Sequence, residues 1–459
     1  MPHLRPYATH ARGLLLLGLP IIGGHLAHML LHVTDTVMLG WYGVEALAAV
    51  VLATSYFFFV FILGSGIGTG LMGMISASIG RGDDVQVRRE TRMGLWLSAL
   101  YGLMAIPLLV WSGPVLLALG QKPELAAMAQ SFLRIAAIGM IPALLTIVLR
   151  SYFAALEKAA IVLWVTLAGV ALNAALNWAL IFGNWGAPEL GVRGSAIATA
   201  STQLMQVVLL ASYAAWLPLA RRFRLFHRLW RPDWSAFRQV LRLGLPAGLT
   251  LLAESGLFIA AALMMGWVGT VELAAHGIAL QLASLAFMIY LGLSNAATVK
   301  VGRAHGERDE TGMRAVAITT IALTGLICAV VATGFFVAPR ALISVFLDEG
   351  QDNVAAILTF GSTLLAVAAL FQLFDAMQVI ALGFLRGVQD ARVPMWLAAI
   401  SYWLIGIPIS YVLGFPMKMG GIGIWTGLVI GLAFASALLM ARFWRRRWVR
   451  GSPAYSASA

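Results

Sequence analysis

Long runs of apolar residues, separated by short polar breaks, recur along the whole chain. Each run is long enough to cross the hydrocarbon of a bilayer, which is about 30 Å thick and takes about 20 helical residues. Because lipid offers the backbone no hydrogen-bond partners, spanning runs form helices or a closed barrel, and the lack of strict alternation here favours helices. The pattern predicts twelve transmembrane helices, at 13–40, 44–79, 93–119, 125–150, 159–182, 191–217, 239–268, 272–300, 312–338, 353–385, 392–414 and 420–441.

Composition agrees with this pattern. Of the 459 residues, 61% are hydrophobic and only 11% are charged, whereas a soluble protein carries roughly 25% charged residues to cover its surface. The chain is therefore predicted to be an all-α integral membrane protein. Its first apolar run is too long for the core of a signal peptide, so we expect no cleavable secretion signal. The single cysteine, Cys328, excludes an intrachain disulfide and a cysteine metal site.

The basic residues test the helix count. If both termini are cytoplasmic, 26 of the 31 Lys and Arg residues fall at the termini and in the cytoplasmic loops, and five fall on the opposite side. Cytoplasmic loops of membrane proteins carry such an excess of positive charge. The net charge of +12 is accordingly ascribed to loops that stay in the cytoplasm, and we expect no nucleic-acid partner.

An internal repeat relates the two halves of the sequence. A shift of 226 residues places Gly18-Leu19-Pro20 on Gly244-Leu245-Pro246, Gly40-Trp41 on Gly266-Trp267, and Asp83 on Asp309. Since six helices separate the matching segments, the halves share one orientation, and a cavity is expected between them. The predicted division is an N-terminal lobe at 1–220, a cytoplasmic linker at 221–238 and a C-terminal lobe at 239–459.

Three acidic residues, Asp35, Glu254 and Asp375, lie well inside apolar runs. An ionised side chain at mid-membrane costs at least about 2.5 kcal/mol, so such groups tend to face a cavity, pair with a cation or hold a proton. No Lys or Arg is expected at comparable depth, which favours a mobile cation or a proton. A structural acid that stays protonated is the alternative.

Helix 1 carries a polar stripe. His25, His28, His32 and Asp35 fall within one arc of about 80° on the helix surface. Imidazole suits proton transfer, and His with Asp also suits a transition metal. A polar stripe that only lines a watery cavity is an equally open interpretation.

Two pairs of amide side chains accompany the acids. Asn173 and Asn177 stand four residues apart, hence on one face of helix 5. Their amides are suited to orient Asp35, to offer oxygen to a cation, or to join neighbouring helices. Gln372 and Gln378 flank Asp375 by three residues on either side.

Three segments of the chain form recognisable motifs: Thr34-Asp35-Thr36-Val37-Met38-Leu39-Gly40, the stretch from Leu172-Asn173 through Leu176-Asn177-Trp178 to Gly186-Ala187-Pro188-Glu189-Leu190-Gly191, and Asp375-Ala376-Met377-Gln378-Val379-Ile380 with Leu385-Arg386-Gly387. With these segments the chain resembles the multidrug and toxic compound extrusion (MATE) family, in its bacterial NorM branch, and the resemblance covers nearly the whole chain.

The resemblance implies two six-helix lobes around a central cavity. It also implies a non-enzymatic antiporter without a cofactor that exports cationic drugs from the bacterial inner membrane in exchange for Na⁺ or H⁺, and so contributes to antibiotic resistance. By position, Asp35 with Asn173 and Asn177 matches the N-lobe cation site of the family, and Glu254 and Asp375 match its C-lobe acidic pair. We expect a monomer whose other partner is the lipid bilayer.

The coupling ion stays open, with H⁺ favoured. Some Na⁺-coupled relatives have a hydroxylated aromatic residue where Phe371 stands, so a C-lobe Na⁺ site lacks one possible ligand. The helix 1 histidines are not carried over from the family, and Pro20 is a candidate point of helix bending. The alternatives are a lipid-precursor flippase and a metal-binding membrane protein that uses those histidines.

Overall fold

The computed structural model describes residues 5–347, 353–446 and 448. The described residues contain twelve helices that are long and apolar enough to cross a membrane, which confirms the predicted all-α class and the helix count. They are α1 Arg5–Tyr42, α2 Val44–Gly80, α3 Asp84–Val110, α4 Pro123–Ala155, α5 Ala159–Phe182, α6 Val192–Trp216, α7 Trp234–Val268, α8 Thr270–Gly306, α9 Glu310–Val337, α10 Val354–Gly387, α11 Arg392–Gly414 and α12 Gly420–Arg445.

Several helix ends differ from the hydropathy prediction by a few residues, and in two helices the difference has a clear physical reason. The third was predicted at 93–119, but α3 begins at Asp84 because the Asp83 carboxylate accepts a hydrogen bond from the backbone N–H of Gln86, at 2.9 Å, and caps the helix. The remainder of the predicted span is a separate short helix, Ser112–Ala118. Helix α11 is interrupted by a π-helical segment, Ile400–Gly406, which hydropathy does not reveal.

Matching positions of the repeat adopt matching local structures. Asp309 caps α9 through the backbone N–H of Gly312, also at 2.9 Å, as its counterpart Asp83 caps α3. A single glycine, Gly43 or Gly269, connects α1 to α2 and α7 to α8. The repeat therefore extends to the helix boundaries of both halves.

The described residues form two compact units whose boundaries lie inside helices. One unit, the continuous unit, is Gly23–Gly248; the other, the split unit, comprises the described residues up to Ile22 and those from Leu249 onward. Each boundary falls two residues after a proline inside a helix, Pro20 in α1 and Pro246 in α7. Proline removes one helical hydrogen bond and favours a kink. The lobe boundaries expected from the sequence stay a prediction.

Backbone-to-backbone contact joins α7 to α2 within the continuous unit. A methyl group built on Gly66 would lie 2.1 Å from the backbone nitrogen of Gly248, and one built on Gly70 would lie 3.0 Å from that of Gly244. In the split unit, the repeat counterpart of Gly66 is Gly292, where a methyl group would lie 2.3 Å from the Cγ1 atom of Ile22. Small residues are needed at these crossings because the helices leave no room for a side chain.

The segment between α6 and α7 is packed against the continuous unit. Ala220, Phe223 and Leu225 are buried in one of the apolar clusters of this unit. The indole Nε1 of Trp96 donates to the Leu229 carbonyl at 2.8 Å, and Arg92 Nη1 donates to the Arg228 carbonyl at 3.2 Å. The predicted linker is thus held on α3.

Two ion pairs complete this attachment. Arg89 pairs with Asp233 through its Nε atom, and its Nη2 atom donates to Oδ1 of the same carboxylate at 3.1 Å. Arg222 Nε donates to Asp84 Oδ2 at 2.7 Å. The hydrogen bonds from Arg89 hold the pKa of the Asp233 carboxyl well below its usual range. A depressed acid pKa means that the pair stabilises the fold at neutral pH and is lost only in strong acid.

We expect Gly66→Ala to destabilise the protein, because the new methyl group meets the backbone of Gly248, which cannot rotate away. The cost should be roughly 1–3 kcal/mol, typical of overpacking, and is measurable as a lower unfolding temperature in detergent. Gly325→Ala on α9 is the control, since nothing lies within 4 Å of the added methyl group. Equal unfolding temperatures for the two variants would contradict this account of the crossing.

We expect Asp233→Asn to release the 221–238 segment, because Arg89 then keeps no carboxylate partner there. The arginines of this segment should be cleaved faster by trypsin at neutral pH. Glu307→Gln is the control, since it removes one carboxylate of an exposed pair with Arg303, and exposed pairs contribute little. Unchanged cleavage in Asp233→Asn would show that the pair does not hold the segment.

Candidate functional site

The first candidate site surrounds Asp35, in the part of α1 that belongs to the continuous unit. The Asn177 Nδ2 atom donates to Asp35 Oδ1 at 2.5 Å, and the Thr199 hydroxyl donates to Asp35 Oδ2 at 3.2 Å. Asn177 also donates to the side-chain oxygen of Asn173 at 3.2 Å. The three residues that the sequence grouped are therefore brought together, and all three are buried.

These contacts have a definite chemical character. Both oxygens of Asp35 accept from neutral donors, which orient the carboxylate without cancelling its charge. The Asn177 Oδ1 atom is buried and accepts no hydrogen bond within the described part of the chain. An oriented carboxylate beside a spare amide oxygen is suited to a proton or a small monovalent cation.

The histidines of α1 lie on the same helix but differ in environment. The rings of His28 and His32 meet edge to face, with centroids 5.4 Å apart. The Nδ1 atom of His28 is buried without a hydrogen-bond partner among the described residues, whereas His32 is exposed. The described residues contain no group of three or more His, Cys, Asp or Glu side chains arranged to bind a metal.

The second candidate site lies in the split unit and contains Glu254 on α7 and Asp375 on α10. Both acids are buried, with 7% and 3% of their surface exposed, and the charge of Glu254 acts on Asp375. The described residues supply no hydrogen-bond partner to several buried polar atoms here: Glu254 Oε1, Asp375 Oδ1, both amide atoms of Gln378, Gln372 Oε1 and the Tyr402 hydroxyl.

Unpaired buried oxygens call for an explanation, because native proteins leave few of them. Two carboxyl groups close together cannot both stay ionised without a counter-charge. A proton or a cation bound among Glu254, Asp375 and their neutral neighbours would satisfy both requirements. Gln372 is partly engaged, since its Nε2 atom donates to the Ala283 carbonyl at 3.2 Å.

Arg386 adds a charge that the sequence did not connect with the acids. No basic residue was expected at the depth of the acids, and Arg386 was assigned to a cytoplasmic helix end. It lies next to the last residue of α10, is 7% exposed, and its charge acts on Glu254. A guanidinium thus balances part of the negative charge of the pair.

An aromatic residue lies one helical turn from each acid, Phe258 after Glu254 and Phe371 before Asp375. Phe371 packs edge to face on Trp425 and Phe258, with ring centroids 5.2 Å and 6.0 Å away. The Trp425 indole in turn donates to His276 Nδ1 at 3.0 Å. The phenyl ring therefore presents no oxygen to the site, as its residue type indicated.

The π-helical segment of α11 brings a hydroxyl to the acids instead. Tyr402 lies in this segment, is fully buried, and sits beside Gln378 within electrostatic reach of Glu254 and Asp375. A wide helical turn redirects side chains, and such turns are frequent at functional sites. Tyr402 is thus an oxygen source that Phe371 cannot be.

Sequence reasoning missed Thr199, Tyr402 and Arg386. Threonine is common in transmembrane helices, so Thr199 gave no signal of its own. The position of Tyr402 depends on a π segment that hydropathy cannot detect, and Arg386 was masked by its proximity to a helix end.

Comparison with known proteins shows the family. The family model described as MatE matches residues 20–179 and again residues 246–412, and the two matches begin with the 226-residue offset of the repeat. A probable multidrug resistance protein NorM from Rhizobium meliloti is 46% identical over 98% of this chain and 97% of its own length. A protein of the same description from Agrobacterium fabrum is 43% identical, over 95% and 94%.

Solved structures show the same fold. A eukaryotic MATE transporter covers 97% of this chain, and the chain covers 98% of that structure, with a TM-score of 0.87 at 20% identity. The predicted fold class, two related sets of six transmembrane helices of the MATE type, is thereby confirmed.

A double-mutant cycle should detect the hydrogen bond from Thr199 to Asp35. Thr199→Val combined with Asp35→Asn should give a coupling energy of about 0.6 to 1.7 kcal/mol, the range for hydrogen bonds between transmembrane helices, in the free energy of unfolding in mixed micelles. Thr202→Val is the matched control, because its hydroxyl donates to the Ala198 carbonyl of its own helix. A coupling energy of zero at Thr199 would remove it from the site.

Proposed function

The chain belongs to the MatE family and is a multidrug efflux transporter of the NorM type, and from this premise we propose that it exports cationic, amphipathic compounds in exchange for H⁺ or Na⁺, with H⁺ favoured. It is a multi-pass bacterial membrane protein rather than an enzyme. The proposal extends this assignment to the coupling ion, the substrate class and the residues that carry the exchange.

One observation carries the proposal: Asp35 is a buried carboxylate held by neutral donors from two helices, Asn177 on α5 and Thr199 on α6. Burial makes its negative charge costly unless a positive charge is present. A proton, Na⁺ or a cationic drug each supplies that charge. Ligands that neutralise the same group disfavour one another reciprocally, which is the linkage an exchanger requires.

In the proposed cycle, the coupling ion binds at Asp35 and at the Glu254/Asp375 pair and weakens drug binding. The drug leaves on the outer side, the ion is released inside, and the bare carboxylates favour the next cationic drug. Bending of α1 at Pro20 is proposed to take part in this cycle. A proline interrupts the helical hydrogen bonds there, close to a boundary between compact units. The histidines His25, His28 and His32 are proposed to line the path of the proton along α1.

The preference for H⁺ rests on the residue type of Phe371, which offers no ligand oxygen. The Tyr402 hydroxyl nearby is the group that would supply such an oxygen if Na⁺ were the coupling ion. Orientation is proposed from the distribution of Lys and Arg, with both termini in the cytoplasm and the protein in the inner membrane as a monomer. The two alternatives, flippase and metal-binding protein, find no support in the relatives' descriptions.

Efflux of ethidium from proteoliposomes under a pH gradient or a Na⁺ gradient, imposed one at a time, tests the proposal. We expect the pH gradient to drive efflux, and Asp35→Asn to reduce this gradient-driven rate, because a neutral amide takes up no proton at this position. The affinity for ethidium should then lose its dependence on the coupling ion, a dependence that is typically about 5- to 150-fold. Glu254→Gln and Asp375→Asn should each weaken the coupling in the same assay.

Glu124→Gln is the matched control, since it neutralises an exposed acid in the first turn of α4. Normal gradient-driven efflux by Asp35→Asn would overturn the role of Asp35. Efflux driven only by the Na⁺ gradient would overturn the preference for H⁺ while leaving the exchange itself in place.

A further inference from the structure

A basic cavity lies where α3 meets the segment that precedes α7, within the continuous unit. It has a volume of about 510 Å³, which is in the range of small-molecule sites. Its lining includes five arginines and one carboxylate: Arg88, Arg89, Arg92, Arg228, Arg231 and Asp233. None of these residues belongs to either candidate coupling site.

The charges in this cavity are largely unbalanced. Asp233 is engaged by Arg89, so its charge is already used. Arg88, Arg228 and Arg231 form no ion pair with any residue that the structure describes. Arg92 is only 7% exposed, and its Nε atom has no hydrogen-bond partner in the described ranges. A buried guanidinium with an unpartnered donor, lining a basic cavity, indicates an anionic ligand.

The guanidinium group defines the chemistry of this anion. Its planar array of N–H donors matches two oxygens of a phosphate or carboxylate at once. Several arginines around one cavity favour a phosphate, which has oxygens on every side and carries at least one negative charge. Phosphate diesters of lipids and free phosphate share this chemistry.

The surroundings of the cavity favour the lipid. Trp234, the first residue of α7, lines it and is 66% exposed, and Trp230, in the segment that precedes α7, is 77% exposed. Trp216, at the end of α6, is also exposed. Indole rings in such positions are typical of the headgroup level of a bilayer, where an apolar ring and a polar N–H are both accommodated. Basic pockets beside transmembrane helices on the cytoplasmic side bind anionic headgroups.

We propose that this cavity binds the phosphate of an anionic phospholipid headgroup. Arg92 holds the phosphate from inside the cavity, Arg88, Arg228 and Arg231 contact it from the rim, and Trp234 lies against the glycerol region. On the proposed orientation the lipid belongs to the cytoplasmic leaflet. Since the same cavity is lined by the 221–238 segment, a bound lipid also ties this segment to α3.

Native mass spectrometry of the purified full-length protein in detergent tests the assignment, with phosphatidylglycerol, phosphatidylcholine and inorganic phosphate as probes. We expect phosphatidylglycerol to bind more tightly than phosphatidylcholine. Its dissociation constant should rise about 25-fold in the double variant Arg88→Gln/Arg231→Gln, because each basic residue near the headgroup is worth about a factor of five.

The double variant Arg238→Gln/Arg242→Gln is the matched control. It removes the same charge from exposed positions of α7 that do not line the cavity, and the dissociation constant should change much less than in Arg88→Gln/Arg231→Gln, since salt and water screen exposed charges that do not contact the headgroup. Arg92→Gln should weaken binding as well. If Arg92→Gln fails to fold, the Arg88→Gln/Arg231→Gln variant, called the rim variant, still tests the proposal, because its two side chains form no ion pair within the described part of the chain.

Three results would overturn the proposal. Equal affinity for the two lipids would show that the headgroup charge is not recognised. Unchanged phosphatidylglycerol binding in the rim variant would place the lipid elsewhere. Displacement of phosphatidylglycerol by inorganic phosphate at equal concentrations would assign the cavity to a free anion.

Discussion

A carboxyl group in apolar surroundings is stable only when its charge is removed or balanced, and the two candidate sites meet this constraint in different ways. Asp35 is held by neutral donors from α5 and α6 that orient the group and leave its charge in place. Glu254 and Asp375 share a site in which the charge of Arg386 acts on Glu254, while several oxygens remain without partners among the described residues. Since hydrocarbon supplies neither water nor counter-ions, we propose that each site binds a mobile positive charge. The proposed exchange follows from this requirement, because two ligands that neutralise the same site compete for it.

The helical frame that places these acids depends on residues without side chains. The contact of Gly66 with Gly248 joins α2 to the first half of α7, and the contact of Gly292 with Ile22 joins α8 to the first half of α1. The two contacts occupy equivalent positions of the repeat. Each of the two long helices thus belongs to one compact unit up to the turn that follows its proline and to the other unit beyond it. The acids of α1 and α7 both lie beyond the residue at which the helix passes from one unit to the other. Each of these helices therefore carries a close packing contact in its first half and an acidic site residue in its second half.

Much of this was predictable from the sequence. Hydropathy and the Lys and Arg distribution indicate twelve helices, and the cost of buried charge singles out the three acids from their positions within apolar runs. The features that could not be predicted from the sequence have physical causes. Asp83 begins α3 inside a charged stretch, where hydropathy indicates a loop although charged residues form helices readily. Tyr402 reaches its position only because α11 contains a π-helical turn, and Thr199 acts through a partner that is 164 residues away in the chain. Tertiary geometry, rather than local pattern, decides such contacts.

The participation of Arg386 has a consequence for energetics. With both acids ionised, the pair and this guanidinium carry one surplus negative charge, and so does Asp35 with its neutral donors. One monovalent cation is therefore sufficient to neutralise either site. Because the coupling ion binds at both sites in the proposed cycle, two such cations are exchanged for one singly charged drug, and one net positive charge moves inward in each turnover. An inside-negative transmembrane voltage would then drive turnover together with the concentration difference of the ion.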